Sequence, residues 1–207
     1  MGGMQSPSRK RLNEVVAQAA VPVLKRAGFR KTALNFDRRH GEAVQVINFQ
    51  TSHGPDSAAT TFYINVGIAF DAVCVLTGCQ VIENPKEHEC DARGTRDRIQ
   101  GLISGAPDCW TVRDGDAIGE CVNSVRDFVG RVLLELNQID GIAAYRSHFW
   151  FDRFRPKGEN AQILFLLGDQ AGALEEVRSL AALFSDRKNA DSAEWWIKML
   201  HLGNLAR

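Results

Sequence analysis

Two apolar segments on either side of a polar loop constrain the fold of this chain more than any other feature. Residues 43–51 are mostly apolar, residues 62–68 have Phe62, Ile64, Val66 and Ile68 at every second position, and residues 52–59 between the segments carry Gly54, Pro55 and Asp56. Side chains of a strand point alternately to its two faces, so the pattern predicts two strands joined by a loop. Strands joined in this way normally pair antiparallel.

Further strands are predicted over residues 30–39, within 72–82 and around 110–112. A tight turn at His40-Gly41 separates the first of them from the strand over 43–51. All of these segments lie in the first 140 residues, which predicts that they form one sheet.

Two long helices flank the predicted strands. Apolar residues recur at helical spacing from about Arg9 to Ala27, where Pro22 should kink or interrupt the helix and Gly28 should end it. The same spacing predicts a helix over residues 118–136. We therefore expect an α+β fold, in which helices pack on one face of an antiparallel sheet.

The last third of the chain is predicted to be helical. Residues 161–184 predict a helical hairpin that turns at Gly168-Asp169, and a final helix containing Trp195 and Trp196 should follow. We therefore divide the chain into an α+β domain, residues 1–140, and a helical extension, residues 141–207. The basic and aromatic residues of 145–154 are interpreted as a linker that docks on the main domain, with stacking on nucleic acid as the alternative.

Composition limits the classes of partner and the cellular compartment that we expect for this protein. The 25 Lys and Arg residues balance 25 Asp and Glu residues, which argues against nucleic acid as a partner. No apolar run approaches the roughly 20 residues that cross a bilayer, and the first residues lack the apolar core of a signal peptide. With five cysteines, an odd number, we expect reduced thiols and a cytoplasmic protein without a membrane segment.

Four residues have the chemistry of zinc ligands: Cys74, Cys79, His88 and Cys90. Their spacing matches no common zinc finger, and Cys74 lies in an apolar stretch where free cysteine is often part of the core. We predict neither a metal site nor a cofactor.

Four segments together resemble a known family. They are LKRAGFRK, FDRRHGEAVQVINFQTS, FYINVGIAF and HECDARGTRDRIQGL, and the most specific part is Asn48-Phe49-Gln50 with Asn65-x-Gly67. In this order they are similar to the bacterial domain of unknown function 4304 family, over about residues 8–138. The family has Cys-x-x-Arg-like and Trp-containing segments, which Cys90 and Trp110 match here, although Cys109 stands where a second Trp is expected. The resemblance implies the boundary of the fold and no reaction.

Primary amides lie within the apolar strands. If the uniformly apolar positions of 62–68 face the helices, Asn48, Gln50, Tyr63 and Asn65 gather on the opposite face. In the first strand Leu34 and Phe36 would then point inward, which leaves Asn35 and Asp37 on the outward face. Gly67 would leave room there for a close approach to the backbone. Such a face is either an ordinary solvent face, a structural hydrogen-bond network or a binding surface.

The candidate binding residues are Asn48, Gln50, Tyr63, Asn65, Arg93 and Arg96. Arg93, Arg96 and Arg98 are interpreted as part of a solvated loop or helix, with the alternative that they frame the amides and hold an anion. We expect a protein-binding module, of regulatory or immunity type, that uses this face or the helical hairpin. The alternative is an enzyme that handles a small molecule or nucleotide. No catalytic residue is predicted, and the oligomeric state stays open.

Overall fold

A computed structural model describes residues 7–52, 59–78, 80–90, 94–153 and 158–183 of the protein. The helices are α1 (Pro7–Arg26), α2 (Asp71–Thr77), α3 (Ile99–Leu102), α4 (Gly119–Leu136), α5 (Ile142–Ser147), α6 (Phe149–Arg153), α7 (Gly158–Leu166) and α8 (Gln170–Leu183). The strands are β1 (Arg30–Thr32), β2 (Asn35–His40), β3 (Ala43–Thr51), β4 (Ala59–Phe70), β5 (Gly94–Arg98) and β6 (Trp110–Arg113). A short 3-10 helix covers Glu87–Cys90.

The six strands form one antiparallel sheet in the order β1-β2-β3-β4-β5, with β6 also paired to β4. The 12-residue strand β4 pairs with β6 through residues 59–62 and with β5 through residues 65–69. Together with the helices, this sheet confirms the predicted α+β class.

Helices α1 and α4 pack against each other and cover one face of the sheet. The strand side chains that face them are Phe36, Ile47, Phe49, Phe62, Ile64, Val66 and Ile68. Each such burial contributes about 1.5–3 kcal/mol to stability. The prediction that residues 62, 64, 66 and 68 face the helices is therefore confirmed.

A buried polar network lies on this apolar face, and the sequence pattern had not indicated it. The Arg38 guanidinium donates to the side-chain oxygens of Gln45, at 2.8 Å, and Asn137, at 2.6 Å. The Gln45 amide in turn donates to the carbonyls of Leu136, at 2.7 Å, and Ile139, at 2.8 Å. Gln45 thus bonds the last carbonyl of α4, which has no partner within the helix, and a second carbonyl three residues beyond it.

Two predictions about the strands are wrong. Residues 30–39 form a hairpin of β1 and β2 rather than one strand, and the chain turns at Ala33 and Leu34. Residues 72–82 contain helix α2 rather than a strand. The α2 helix buries Val73 and Cys74, and it ends at Gly78, whose φ of 68° and backbone bond to Cys74 are typical of a helix C-terminus.

The segments after residue 138 share the core of the sheet. Tyr145, Trp150 and Phe151 belong to the same hydrophobic cluster as the strands. Residues of α7 and α8 such as Ile163 and Leu174 belong to it as well, and these helices pack on each other while α7 also packs on α2 and α5. The predicted docking of residues 145–154 is thus confirmed for its described part, and the helical hairpin is present. The predicted final helix, with both of its Trp residues, lies outside the described residues.

His148 joins α4 to the linker. Its Nε2 lies 3.0 Å from the Glu135 carboxylate, and its Nδ1 accepts a hydrogen bond from the Trp150 backbone N–H at 3.2 Å. Burial lowers the pKa of His148, although the Glu135 carboxylate opposes that shift.

Candidate functional site

A row of polar side chains crosses the sheet on the face away from α1 and α4. In the strand register, Asn35 pairs with Asn48 and Asn48 pairs with Asn65. Asn65 also pairs with Arg98 of β5. Paired residues of antiparallel strands share a face, so these side chains lie side by side. We call this surface the amide face, consisting of Asn35, Asn48, Gln50, Tyr63, Asn65 and Arg98.

One half of the amide face is open to solvent. The Arg98 guanidinium lies 4.0 Å from the centre of the Tyr63 ring, a cation–π contact. Beside this pair, the amide nitrogen of the buried Asn65 donates to the Gln50 side-chain oxygen at 2.9 Å. Gln50 and Arg98 are exposed and Tyr63 is partly exposed. We call these three residues the open strip.

The other half of this side of the sheet is covered by residues 80–90. The 3-10 helix packs on β3, β4 and β5 there. A second small apolar cluster results, comprising Val44, Val46, Ala69 and Cys90. A Cβ atom at Gly67 would lie 2.8 Å from the Cys90 sulfur. The room expected at Gly67 therefore exists, and the chain's own Cys90 fills it.

A cavity of about 350 Å³ lies between this covering segment and the β1–β2 hairpin. Its polar walls include Asn35, Asp37, Asn48, Asn84, Lys86 and Glu87. The Asn35 side-chain oxygen is buried and has no hydrogen-bond partner among the described residues. Asn48 is half-buried, and its side chain forms no hydrogen bond within the described part of the chain. The cavity therefore presents amide groups whose hydrogen-bonding capacity is unused.

Two carboxylates on the cavity wall are almost fully buried. Asp37 is 2% exposed and accepts a hydrogen bond of 3.0 Å from Arg30, which also bonds the Asn84 side chain. Burial raises the pKa of Asp37, and the Arg30 charge opposes that shift. Glu87 is 7% exposed and lies 3.7 Å from the Arg96 guanidinium. The cavity wall therefore contains several buried hydrogen-bond acceptors.

A larger cavity, of about 590 Å³, lies where the sheet meets the C-terminal helices, beside Arg39, Asp71, Ile142 and Leu167. Its charged side chains Arg39 and Asp71 form an ion pair at 3.0 Å. No buried polar atom without a partner is found there among the described residues. The smaller cavity is therefore the better candidate for a ligand site.

Residues 20–138 match the family described as a domain of unknown function (DUF4304). The chain belongs to this family. The matched region spans all six strands and α4, and so includes both the amide face and the segment that covers half of it. No curated protein and no solved structure is significantly similar to this chain.

In this member of the DUF4304 family, four of the predicted site residues lie together. Asn48, Gln50, Tyr63 and Asn65 occupy neighbouring positions of β3 and β4 on the predicted face. The interpretation of residues 96 and 98 as part of a loop or helix is wrong, because they lie on strand β5. Arg96 faces Glu87 across this face. Arg93 lies outside the described residues.

Sequence reasoning missed the other half of the cavity. Asn84, Lys86 and Glu87 come from an irregular segment without a periodic pattern, and Arg30 belongs to a hairpin that was not predicted. Strand alternation did place Asn35 and Asp37 on the face of the amides, and the strand register confirms both positions.

The possible zinc ligands do not form a recognisable site in the described part of the chain. Cys74 is buried in α2 and Cys90 belongs to the small apolar cluster under the 3-10 helix. Cys79 lies outside the described residues. No group of three or more His, Cys, Asp or Glu side chains suited to a metal ion occurs among the described residues. None of the described helices is both long and apolar enough to cross a membrane.

Proposed function

We propose that this protein is a protein-binding module that contacts its partner through the open strip. The observation that carries the proposal is the pair of the partly exposed Tyr63 and the exposed Arg98, whose guanidinium lies 4.0 Å from the ring centre. Tyr and Arg are enriched among the few residues that dominate the free energy of protein–protein interfaces. If the open strip covers the active surface of its partner, the protein would have a regulatory or immunity-type role.

The open strip is held in place before any partner arrives. Arg98 is stacked on Tyr63, and Gln50 is fixed by its hydrogen bond of 2.9 Å from Asn65. Side chains that are already ordered lose less conformational entropy on binding, which supports a role as anchors.

The helical hairpin is less suited to be the main contact. Its apolar residues Ile163, Leu174 and Val177 are buried in the hydrophobic core. A partner that used these residues would have to displace that packing, whereas the open strip is accessible as it stands.

The geometry also favours a protein partner over a nucleotide. A nucleotide site needs a cation for the phosphates, and Arg96 is a candidate for that role. Its guanidinium lies 3.7 Å from the Glu87 carboxylate, so its charge is already partly compensated, which weakens it as a phosphate ligand.

We further infer a reducing compartment such as the cytoplasm. Cys74, Cys90, Cys109 and Cys121 are free thiols, as is usual where disulfides do not persist.

Affinity capture with the full chain from its native host tests the proposal. The proteins captured by wild type should be compared with those captured by Tyr63→Ala and Arg98→Ala. Arg131→Ala is a matched control, because Arg131 is also stacked on a ring, with its guanidinium 4.9 Å from the centre of Phe128, but lies on α4 at the helical side. We expect one partner that both strip variants lose and the control retains.

The purified partner should then be titrated against all four proteins. Loss of an interface anchor typically costs about 2 kcal/mol or more, which corresponds to at least roughly 30-fold in the dissociation constant. A captured protein that binds all variants equally would refute the open strip as the contact surface. Thermal melting of each variant checks that the fold is intact.

A further inference from the structure

The cavity beside Asn35 has a wall of unusual composition. Its almost buried groups are hydrogen-bond acceptors, namely the carboxylates of Asp37 and Glu87 and the side-chain oxygen of Asn35. An amide oxygen without a partner costs about 1–3 kcal/mol when it is buried. A ligand with N–H groups would supply the missing donor, so the interior is complementary to an ammonium group.

The rim of the same cavity is positively charged. Arg9 and Lys86 line it and both are exposed. Lys86 forms no ion pair within the described part of the chain. A ligand that carried only a positive charge would therefore be attracted by the interior and repelled by the rim. A ligand that carried only a negative charge would be attracted by the rim and repelled by the acceptors of the interior.

The two buried carboxylates already pair with cations, Asp37 with Arg30 at 3.0 Å and Glu87 with Arg96 at 3.7 Å. The groups left for a ligand are the Asn35 oxygen in the interior, which needs a donor, and the Lys86 ammonium at the rim. A neutral molecule with separated charges matches this arrangement better than a net ion does. The volume of about 350 Å³ lies near the lower end of known ligand sites, about 300–1,000 Å³, which suits a small molecule.

We propose that this cavity is a binding site for a small zwitterion of the amino-acid class, with its ammonium group toward Asn35 and Asn48 and its carboxylate toward Lys86. The site is separate from the open strip, since neither Gln50, Tyr63 nor Arg98 lines the cavity. Its existence does not depend on the protein partner.

The test is a titration of the full-length, ¹⁵N-labelled protein with 5-aminopentanoate, followed by NMR through the side-chain amide signals of Asn35 and Asn48. Pentylamine and pentanoate have the same chain length and carry one charge each. We expect 5-aminopentanoate to bind with a dissociation constant of about 1 mM or tighter. Each single-charge compound should bind at least about tenfold more weakly, since each lacks one charge-assisted contact.

Variants locate the site. Lys86→Gln should weaken binding of 5-aminopentanoate about tenfold, the usual effect of losing one charge-assisted hydrogen bond. Asn48→Ala should weaken it as well, and Asn35→Leu should abolish it while leaving the unliganded protein equally or more stable in a thermal melt. Lys25→Gln, an exposed lysine of α1 outside the cavity, and Tyr63→Ala, in the open strip, should not change the affinity.

Three results would overturn the proposal. Pentylamine that binds as tightly as 5-aminopentanoate would show a cation site instead. Unchanged affinity in Lys86→Gln and Asn48→Ala would place the ligand elsewhere. Absence of shifts at both amide signals with all three compounds would exclude a zwitterion site. None of these results bears on the open strip, which the capture experiment tests separately.

Discussion

Replacing Gln45 by Met should destabilise the protein far more than the same change at Gln50 of the same strand. Gln45 is fully buried and forms three hydrogen bonds, one from Arg38 at 2.8 Å and two to carbonyls at 2.7 and 2.8 Å. A bond to a charged group contributes about 1.5–3 kcal/mol and a neutral one about 0.5–1.5 kcal/mol. Met is similar in size, so little cavity cost is added, and the expected loss is about 4 kcal/mol.

Gln50 provides the matched control. It is exposed, and its side chain accepts one hydrogen bond, from Asn65 at 2.9 Å. Gln50→Met should therefore cost about 1 kcal/mol.

Urea denaturation of wild type and both variants measures the three free energies of unfolding, and an unchanged m-value would show that only stability changed. If the two variants differ by less than about 1 kcal/mol, the network around Gln45 does not contribute as these hydrogen bonds indicate.

Three further outcomes are expected. Gly67→Ala should cost about 1–3 kcal/mol, because its Cβ would lie 2.8 Å from the Cys90 sulfur, and Cys90→Ala in the same chain should recover part of that loss in urea denaturation. Ala33→Gly should raise the free energy of unfolding by up to about 1 kcal/mol, because Ala33 has a φ of 54° that glycine adopts without strain. Because burial lowers the pKa of His148 below 6.5, the unfolded state binds that proton more readily, so stability should fall as the pH drops below about 6.5. Urea denaturation at several pH values measures this effect. His148→Gln should reduce the loss of stability below about pH 6.5, and an unchanged loss would show that His148 is not its cause.

Strand alternation was sufficient to predict which residues share a face. The positions of Asn48, Gln50, Tyr63 and Asn65 follow from a period of two residues, which is a local property of β3 and β4. The short elements were not predicted for equally physical reasons. The β1–β2 turn uses Ala33 and Leu34, neither of which is a usual turn residue. A short apolar run such as that of α2 suits a helix and a strand alike.

The candidate cavity shows the limit of local patterns. Asn35 and Pro85 are 50 positions apart in the chain, yet the Asn35 amide donates to the Pro85 carbonyl at 3.4 Å. What places Glu87 beside Asn48 is the packing of Cys90 against Gly67, which depends on tertiary structure. Sequence periodicity could identify the half of the site that lies on strands, and it carried no information about the half that lies on the covering segment.

The shared core has a consequence for the order in which this protein can fold during synthesis. Gln45 bonds the carbonyl of Ile139, and the backbone N–H of Glu42 bonds that of Asp140 at 2.6 Å. Strands made early therefore lack part of their partner surface until Tyr145, Trp150 and Phe151 have left the ribosome. Part of the apolar surface of a nascent chain should therefore stay exposed until that point, and this is the interval in which aggregation is most favoured.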